Sequence, residues 1–176
     1  MMDRKIISGT QVNKDISNEY KNWDAIRDAR PNELAKVVAR LKAQLKPAQL
    51  TYALRLWKEE PAVVLDVFGQ IDHPTEEQIA LATNTVAVSD IPKVCARLKN
   101  IHRRLSNTIA RVALSIAFPP DISTIFERIH QPSETMALKA LLRVREFPKL
   151  AREVYAMISE TGRTAKVRAL MKEIGN

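Results

Sequence analysis

Lys36-Val37-Val38-Ala39-Arg40-Leu41-Lys42 recurs as Lys93-Val94-Cys95-Ala96-Arg97-Leu98-Lys99, with Cys95 for Val38 as the single mismatch. A second pair has nearly the same offset: Val67-Phe68-Gly69-Gln70-Ile71-Asp72-His73-Pro74-Thr75 answers to Ile125-Phe126-Glu127-Arg128-Ile129-His130-Gln131-Pro132-Ser133. A third, half as long again, pairs Ala53-Leu54 and Glu59-Glu60-Pro61 with Ala140-Leu141 and Glu146-Phe147-Pro148. The three offsets are two, two and three times a unit of about 29 residues, and self-similarity at such a period marks a solenoid or array. In a solenoid each unit buries its apolar face against the next, and the stack binds a long partner along one face.

Aligned on one apolar site, the units run Val38, Phe68, Cys95, Phe126 and Tyr155, and the matching second site runs Leu41, Ile71, Leu98, Ile129 and Ile158. Each unit has a first helix with Ala and Leu at helical spacing, as in Ile79-Ala80-Leu81 and Ile109-Ala110. A turn follows, then a second helix with apolar residues at i, i+3/i+4 and i+7, as in Leu34, Val37/Val38, Leu41 and Leu45. The turns carry Pro31, Pro61, Pro92, Pro119-Pro120 and Pro148. Proline in the first turn of a helix loses no hydrogen bond and presets φ, so these prolines open second helices. Thr75 with Gln78 and Ser133 with Met136 stand at N-cap spacing, and Gln78 is the N3 residue of a capping box. Gly162 reads as a helix C-cap.

The expectation is an all-α, right-handed α-solenoid of about five helical hairpins, near 20–46, 47–73, 75–104, 106–131 and 133–161. A capping helix over 163–174 places Val167, Leu170, Met171 and Ile174 on one face. Terminal units need such a cap to cover their exposed core face. Residues 1–19 show no periodicity and read as a flexible arm; 20–176 read as one helical-repeat domain.

Composition agrees with this class. At 176 residues the chain is long enough to bury a core, and 45% apolar content separates it from disordered chains. Four glycines among abundant Ala, Leu, Lys, Arg and Glu favour helix. The net charge of +8 points to an anionic partner: nucleic acid, an acidic protein or a membrane surface. No apolar run approaches the roughly 20 residues of a membrane span. Residues 1–20 lack the apolar segment of a secretory signal and read as no transit peptide. With Cys95 as the single cysteine, no intrachain disulfide can form. That suits a reducing intracellular compartment, cytoplasmic or organellar, and Cys95 reads as a small buried apolar residue.

The two-helix grammar resembles the tetratricopeptide and pentatricopeptide class of α-solenoids. Val67-Phe68-Gly69-Gln70-Ile71 with Pro74, Ile125-Phe126-Glu127-Arg128-Ile129 with Pro132, and Ala151-Arg152-Glu153-Val154-Tyr155-Ala156-Met157-Ile158 are similar to the second helix of a pentatricopeptide unit. The unit here, about 29 residues, is shorter than in either family, and the tetratricopeptide Trp-Leu-Gly-Tyr pattern is absent. The resemblance implies a helical-repeat architecture and a bias toward RNA, with no individual binding residue transferred.

The candidate binding residues come from the repeat itself. Lys36, Arg40 and Lys42 match Lys93, Arg97 and Lys99, and Arg103 and Arg104 extend the second set. Lys36 and Arg40 are i, i+4 and share a helix face, as do Lys93 and Arg97. A stripe of such cations suits a polyphosphate chain; the same residues also serve simply to solvate exposed helix faces. Trp23, Trp57, Tyr20 and Tyr52 have rings that stack bases, although the repeat alignment puts Trp57 opposite Val144, a core position. No His or Cys stands at zinc spacing, and no phosphate loop, nucleophile elbow or dinucleotide turn is present. The expected function is therefore non-catalytic binding of RNA, or other nucleic acid, along a basic face, without metal, cofactor or small-molecule substrate. The alternative is a protein-interaction scaffold, an adaptor, effector or assembly subunit, holding a peptide or helix of an acidic partner.

Overall fold

Proline decides where several helices begin. Pro31 opens α2 (Pro31–Leu41), Pro47 opens α3 (Pro47–Leu56), Pro61 opens α4 (Pro61–Gly69) and Pro148 opens α10 (Pro148–Met157). Each sits at N1, where the missing N–H would have had no partner anyway. A computed structural model describes residues 9–100 and 104–175, with side chains from residue 17 onward. The remaining α-helices are α1 (Gly9–Arg27), α5 (Glu76–Thr85), α6 (Ile91–Asn100), α7 (Asn107–Ile116), α8 (Ile122–Glu127), α9 (Glu134–Arg143) and α11 (Ala165–Gly175). Short 3-10 turns lead into α6 and α8 and precede α11. The described residues are all-α: eleven helices and no strand.

The chain divides into two compact units at Ile71/Asp72. The first contains α1–α4. Here α1 packs on α2 and on α3, and α2 packs on α4. Ile26, Leu34, Val38, Ala53, Leu54, Val64, Val67, Phe68 and Ile71 form its buried core. Trp23 meets Tyr52 edge to face, with ring centroids 5.2 Å apart. Burial of Gln49 is made possible by its polar partners: its Oε1 accepts from Lys46 N at 2.9 Å and its Nε2 donates to Glu19 O at 3.2 Å.

The second unit contains α5–α11. Odd helices pack in sequence, α5 on α7, α7 on α9 and α9 on α11, and even helices do the same, α6 on α8 and α8 on α10. The repeat-defining apolar positions are buried here: Cys95, Leu98, Phe126, Ile129 and Ile158, each at most 3% exposed. Tyr155 departs from the set. It is half-buried, and the Arg163 guanidinium lies 4.8 Å over its ring.

Capping follows local chemistry. Thr75 Oγ1 accepts from Gln78 N at 3.3 Å while Gln78 Oε1 accepts from Thr75 N at 2.9 Å, a reciprocal box at the start of α5. Ser106 caps α7 through Ile109 N at 3.5 Å and Ser133 caps α9 through Met136 N at 3.4 Å. Between these helices runs one feature that no helical pattern announces. Leu105 N donates to Arg128 O at 2.7 Å and Leu105 O accepts from His130 N at 3.4 Å. The two connections thus form a parallel bridge, Leu105 to Ile129.

Three expectations are corrected. Residues 9–19, expected within an arm, are helical in α1, since a helix already nucleated gains one hydrogen bond per residue added; residues 1–8 lie outside the described residues. Gly162 is not a C-cap. It ends the 3-10 turn Glu160–Gly162 with its N–H donated to Ser159 Oγ at 3.2 Å, and no glycine has a positive φ among the described residues. A Cβ there would meet Ile158 Cγ2 at 3.0 Å, which is why the position is small. The last helix starts at Ala165 rather than 163, because Thr164 Oγ1 accepts from Val167 N at 3.4 Å and so caps it.

Candidate nucleic-acid interface

The first basic set lies on α2. An apolar face buries Leu34 and Val38, which turns Lys36 and Arg40 outward one helical turn apart. Both are exposed and make no ion pair among the described residues. Lys42, at the C-cap of α2, is exposed as well.

The second set lies on α6 and is built differently. Burial of Val94, Cys95 and Leu98 turns Lys93, Arg97 and Lys99 away from the core, but each meets a carboxylate. Lys93 Nζ is 2.7 Å from Asp90, Arg97 Nη2 is 3.4 Å from Asp72 and Lys99 Nζ is 3.4 Å from Glu127. Only 27% of the Arg97 side chain is exposed. Nearly identical heptapeptides therefore hold the equivalent pair of cations in two states: Lys36 and Arg40 exposed without an ion pair among the described residues, Lys93 and Arg97 beside carboxylates. Ion pairs at exposed positions contribute only about 0–1 kcal/mol, so a phosphate can compete for Lys93 and Lys99. Arg104 is exposed and lines a cavity of about 870 Å³ with Phe126, Glu127, Gln131, Ser159 and Thr161. Arg103 lies outside the described residues.

The aromatic candidates do not form a stacking platform. Trp23 and Tyr52 engage each other, and Trp57 is half-buried, its indole N–H without a hydrogen-bond partner among the described residues. Tyr20 is 69% exposed. Cys95 is buried beneath the basic face of α6, and burial pushes its thiol up to about 12; Arg128 opposes the shift and Asp121 adds to it. The site offers no thiolate nucleophile at neutral pH. Among the described residues no group of three His, Cys, Asp or Glu is placed to hold a metal ion, and no helix is long and apolar enough to cross a membrane.

Sequence reasoning missed a different set of residues. Ile116 and Leu142, in the last turns of α7 and α9, and Phe118 and Phe147, in the connections that follow, are 40–55% exposed. The signal was available: Phe118-Pro119 and Phe147-Pro148 stand one repeat unit apart. Compared with known protein families, with curated proteins and with solved structures, the chain shows no match in any of the three.

Proposed function

We propose that this chain is a non-catalytic helical-repeat binding protein that holds RNA, or other nucleic acid, on the basic faces of α2 and α6. Its architecture is a right-handed α-solenoid of the tetratricopeptide and pentatricopeptide class. On this reading α1–α4 make two hairpins, α5–α10 make three, and α11 caps the array. Support comes from the packing of odd helices on odd and even on even within each unit, the neighbour-only contact scheme of a solenoid. The observation that carries the functional reading is the duplicated cation set. Lys36, Arg40 and Lys42 on α2 reappear as Lys93, Arg97 and Lys99 on α6, on faces directed away from the core. Arg103 and Arg104 continue the second set in sequence. Phosphates supply most of the affinity in such a site, so it falls steeply with salt. A reducing compartment inside the cell suits the single buried thiol.

The test is fluorescence anisotropy of a mixed-sequence single-stranded RNA across a salt series. Sub-micromolar binding at low salt with a linear log–log salt slope supports the reading, and absence of binding at low salt removes it. A second reading, a protein-interaction scaffold, is favoured by one observation: the large apolar side chains Ile116, Phe118, Leu142 and Phe147 of the second unit stand exposed.

A further inference from the structure

The register of α9 against α7 puts the segments that carry Ile116, Phe118, Leu142 and Phe147 at one end of this helix pair. Lys139 Nζ donates to Ser115 Oγ and Arg143 Nη2 donates to Ala117 O. Ascending positions on α9 thus meet ascending positions on α7, and the two helices end side by side. The exposed Leu142 and Phe147 thus lie in or just after the last turn of α9, and the exposed Ile116 and Phe118 in or just after the last turn of α7. The edge continues onto α11, which packs on α9. Leu142 lines a cleft of about 330 Å³ together with Leu170 and Ile174, rimmed by Arg145, Glu146 and Glu173. Ile116, Arg145 and Ile174 follow one another at steps of one repeat unit. Apolar side chains present on three successive odd helices form a surface rather than a scatter of single exposed residues.

We propose that this edge docks an acidic amphipathic helix from a partner protein. The inference deepens the protein-interaction reading above and rests on it. Three arguments select that occupant. Packed helices lie about 8–10 Å apart, so equivalent phenylalanines on neighbouring layers match the rise of about 10.5 Å between residues i and i+7 of an α-helix. The edge offers apolar side chains and no open backbone ladder, so its occupant must satisfy its own backbone, as a helix does. Charge supplies the sign: along the edge four cations (Lys139, Arg143, Arg145, Lys149) stand against two carboxylates, Glu146 and the cleft-lining Glu173. Lys149 is exposed, and Arg145 is exposed beside Glu146 at 3.1 Å. A partner with acids flanking an apolar stripe is complementary to that surface.

The experiment is selection of a displayed random-peptide library against the whole protein, followed by anisotropy with the enriched peptides. The expected result is enrichment of acidic sequences with apolar residues at i, i+3/i+4 and i+7 that become helical on binding. Their affinity falls by about tenfold or more in the Phe118→Ser/Phe147→Ser variant, as for truncated hot-spot aromatics. Arg145→Glu/Lys149→Glu, which leaves the apolar side chains in place, weakens the same peptides, and the thermal midpoint of both variants stays at the wild-type value. Enriched peptides that bind the Phe118→Ser/Phe147→Ser variant undiminished overturn the edge while leaving a scaffold with another groove. No enrichment at all overturns the scaffold reading with it. A wild-type dimer that this variant converts to monomer overturns the proposal by giving the edge to a second copy. Displacement of the peptides by single-stranded RNA overturns it by giving the edge to nucleic acid.

Discussion

Leu105 N donates to Arg128 O at 2.7 Å, and Leu105 O receives His130 N in return at 3.4 Å. Two inter-helix connections distant in sequence are thereby joined as a parallel bridge. Connections between helices ordinarily exchange quickly with solvent. The Leu105 amide is expected to exchange as slowly as amides in the middle of α7, measurable by hydrogen exchange with NMR detection. Leu105 is also buried, so Leu105→Ala is expected to cost about 2–5 kcal/mol in urea denaturation.

Thr75→Ala removes one arm of the box at α5 and should cost about 1 kcal/mol. Gln78→Ala should cost more than Thr75→Ala. Gln78 is 1% exposed, so its loss leaves the Thr75 N–H without its acceptor and opens a void. Chemical denaturation of the two variants decides the order; equal costs would mean that solvent replaces Gln78.

Gln131 holds φ of 50°, the left-handed region, immediately before Pro132. An L residue there is disfavoured by about 1–2 kcal/mol, while glycine loses about 0.5–1 kcal/mol more backbone entropy on folding. Gln131→Gly is therefore expected to raise stability by up to about 1 kcal/mol, and Gln131→Val to lower it, since β-branched residues are poorest in this region. Urea midpoints of the pair provide the check.

Cys95 titrates at about 12 in the folded protein because burial disfavours the thiolate. The unfolded chain loses this proton near pH 8.5–9. The native state then binds more protons across the window from about 9 to 12, so stability contributed by the thiol is complete below 9 and declines as pH rises toward 12. Cys95→Val, which restores the residue of the first repeat, should flatten that alkaline decline relative to wild type while costing less than about 1.5 kcal/mol at neutral pH. A thiol reagent at pH 8 should modify wild type only at the rate of unfolding.

On the proposed RNA-binding reading, Lys36→Ala and Arg40→Ala should each weaken binding uniformly across sequences and reduce the log–log salt slope by roughly 0.7–1. Lys99→Ala should do less, because its pairing with Glu127 already offsets part of its charge. Anisotropy at several salt concentrations distinguishes the two classes.

The sequence by itself determined what depends on near neighbours. Pro31, Pro61 and Pro148 start helices because their φ is preset. Thr75 and Ser133 cap helices because a hydroxyl reaches the N–H three residues on. The recurrence of Val38, Phe68, Cys95 and Phe126 marks buried faces because a helical stripe must meet another apolar surface. Only the tertiary structure decided what depends on distant partners. The heptapeptides at 36 and 93 are nearly identical, yet Arg97 meets Asp72 and Lys99 meets Glu127 while Lys36 and Arg40 stay exposed. The bridge from Leu105 to Ile129, and the register of α9 on α7 through Lys139 with Ser115 and Arg143 with Ala117, join residues far apart in the chain. Local periodicity specifies which side of a helix is buried; which charge or ring arrives on the other side is set by the helices stacked beside it.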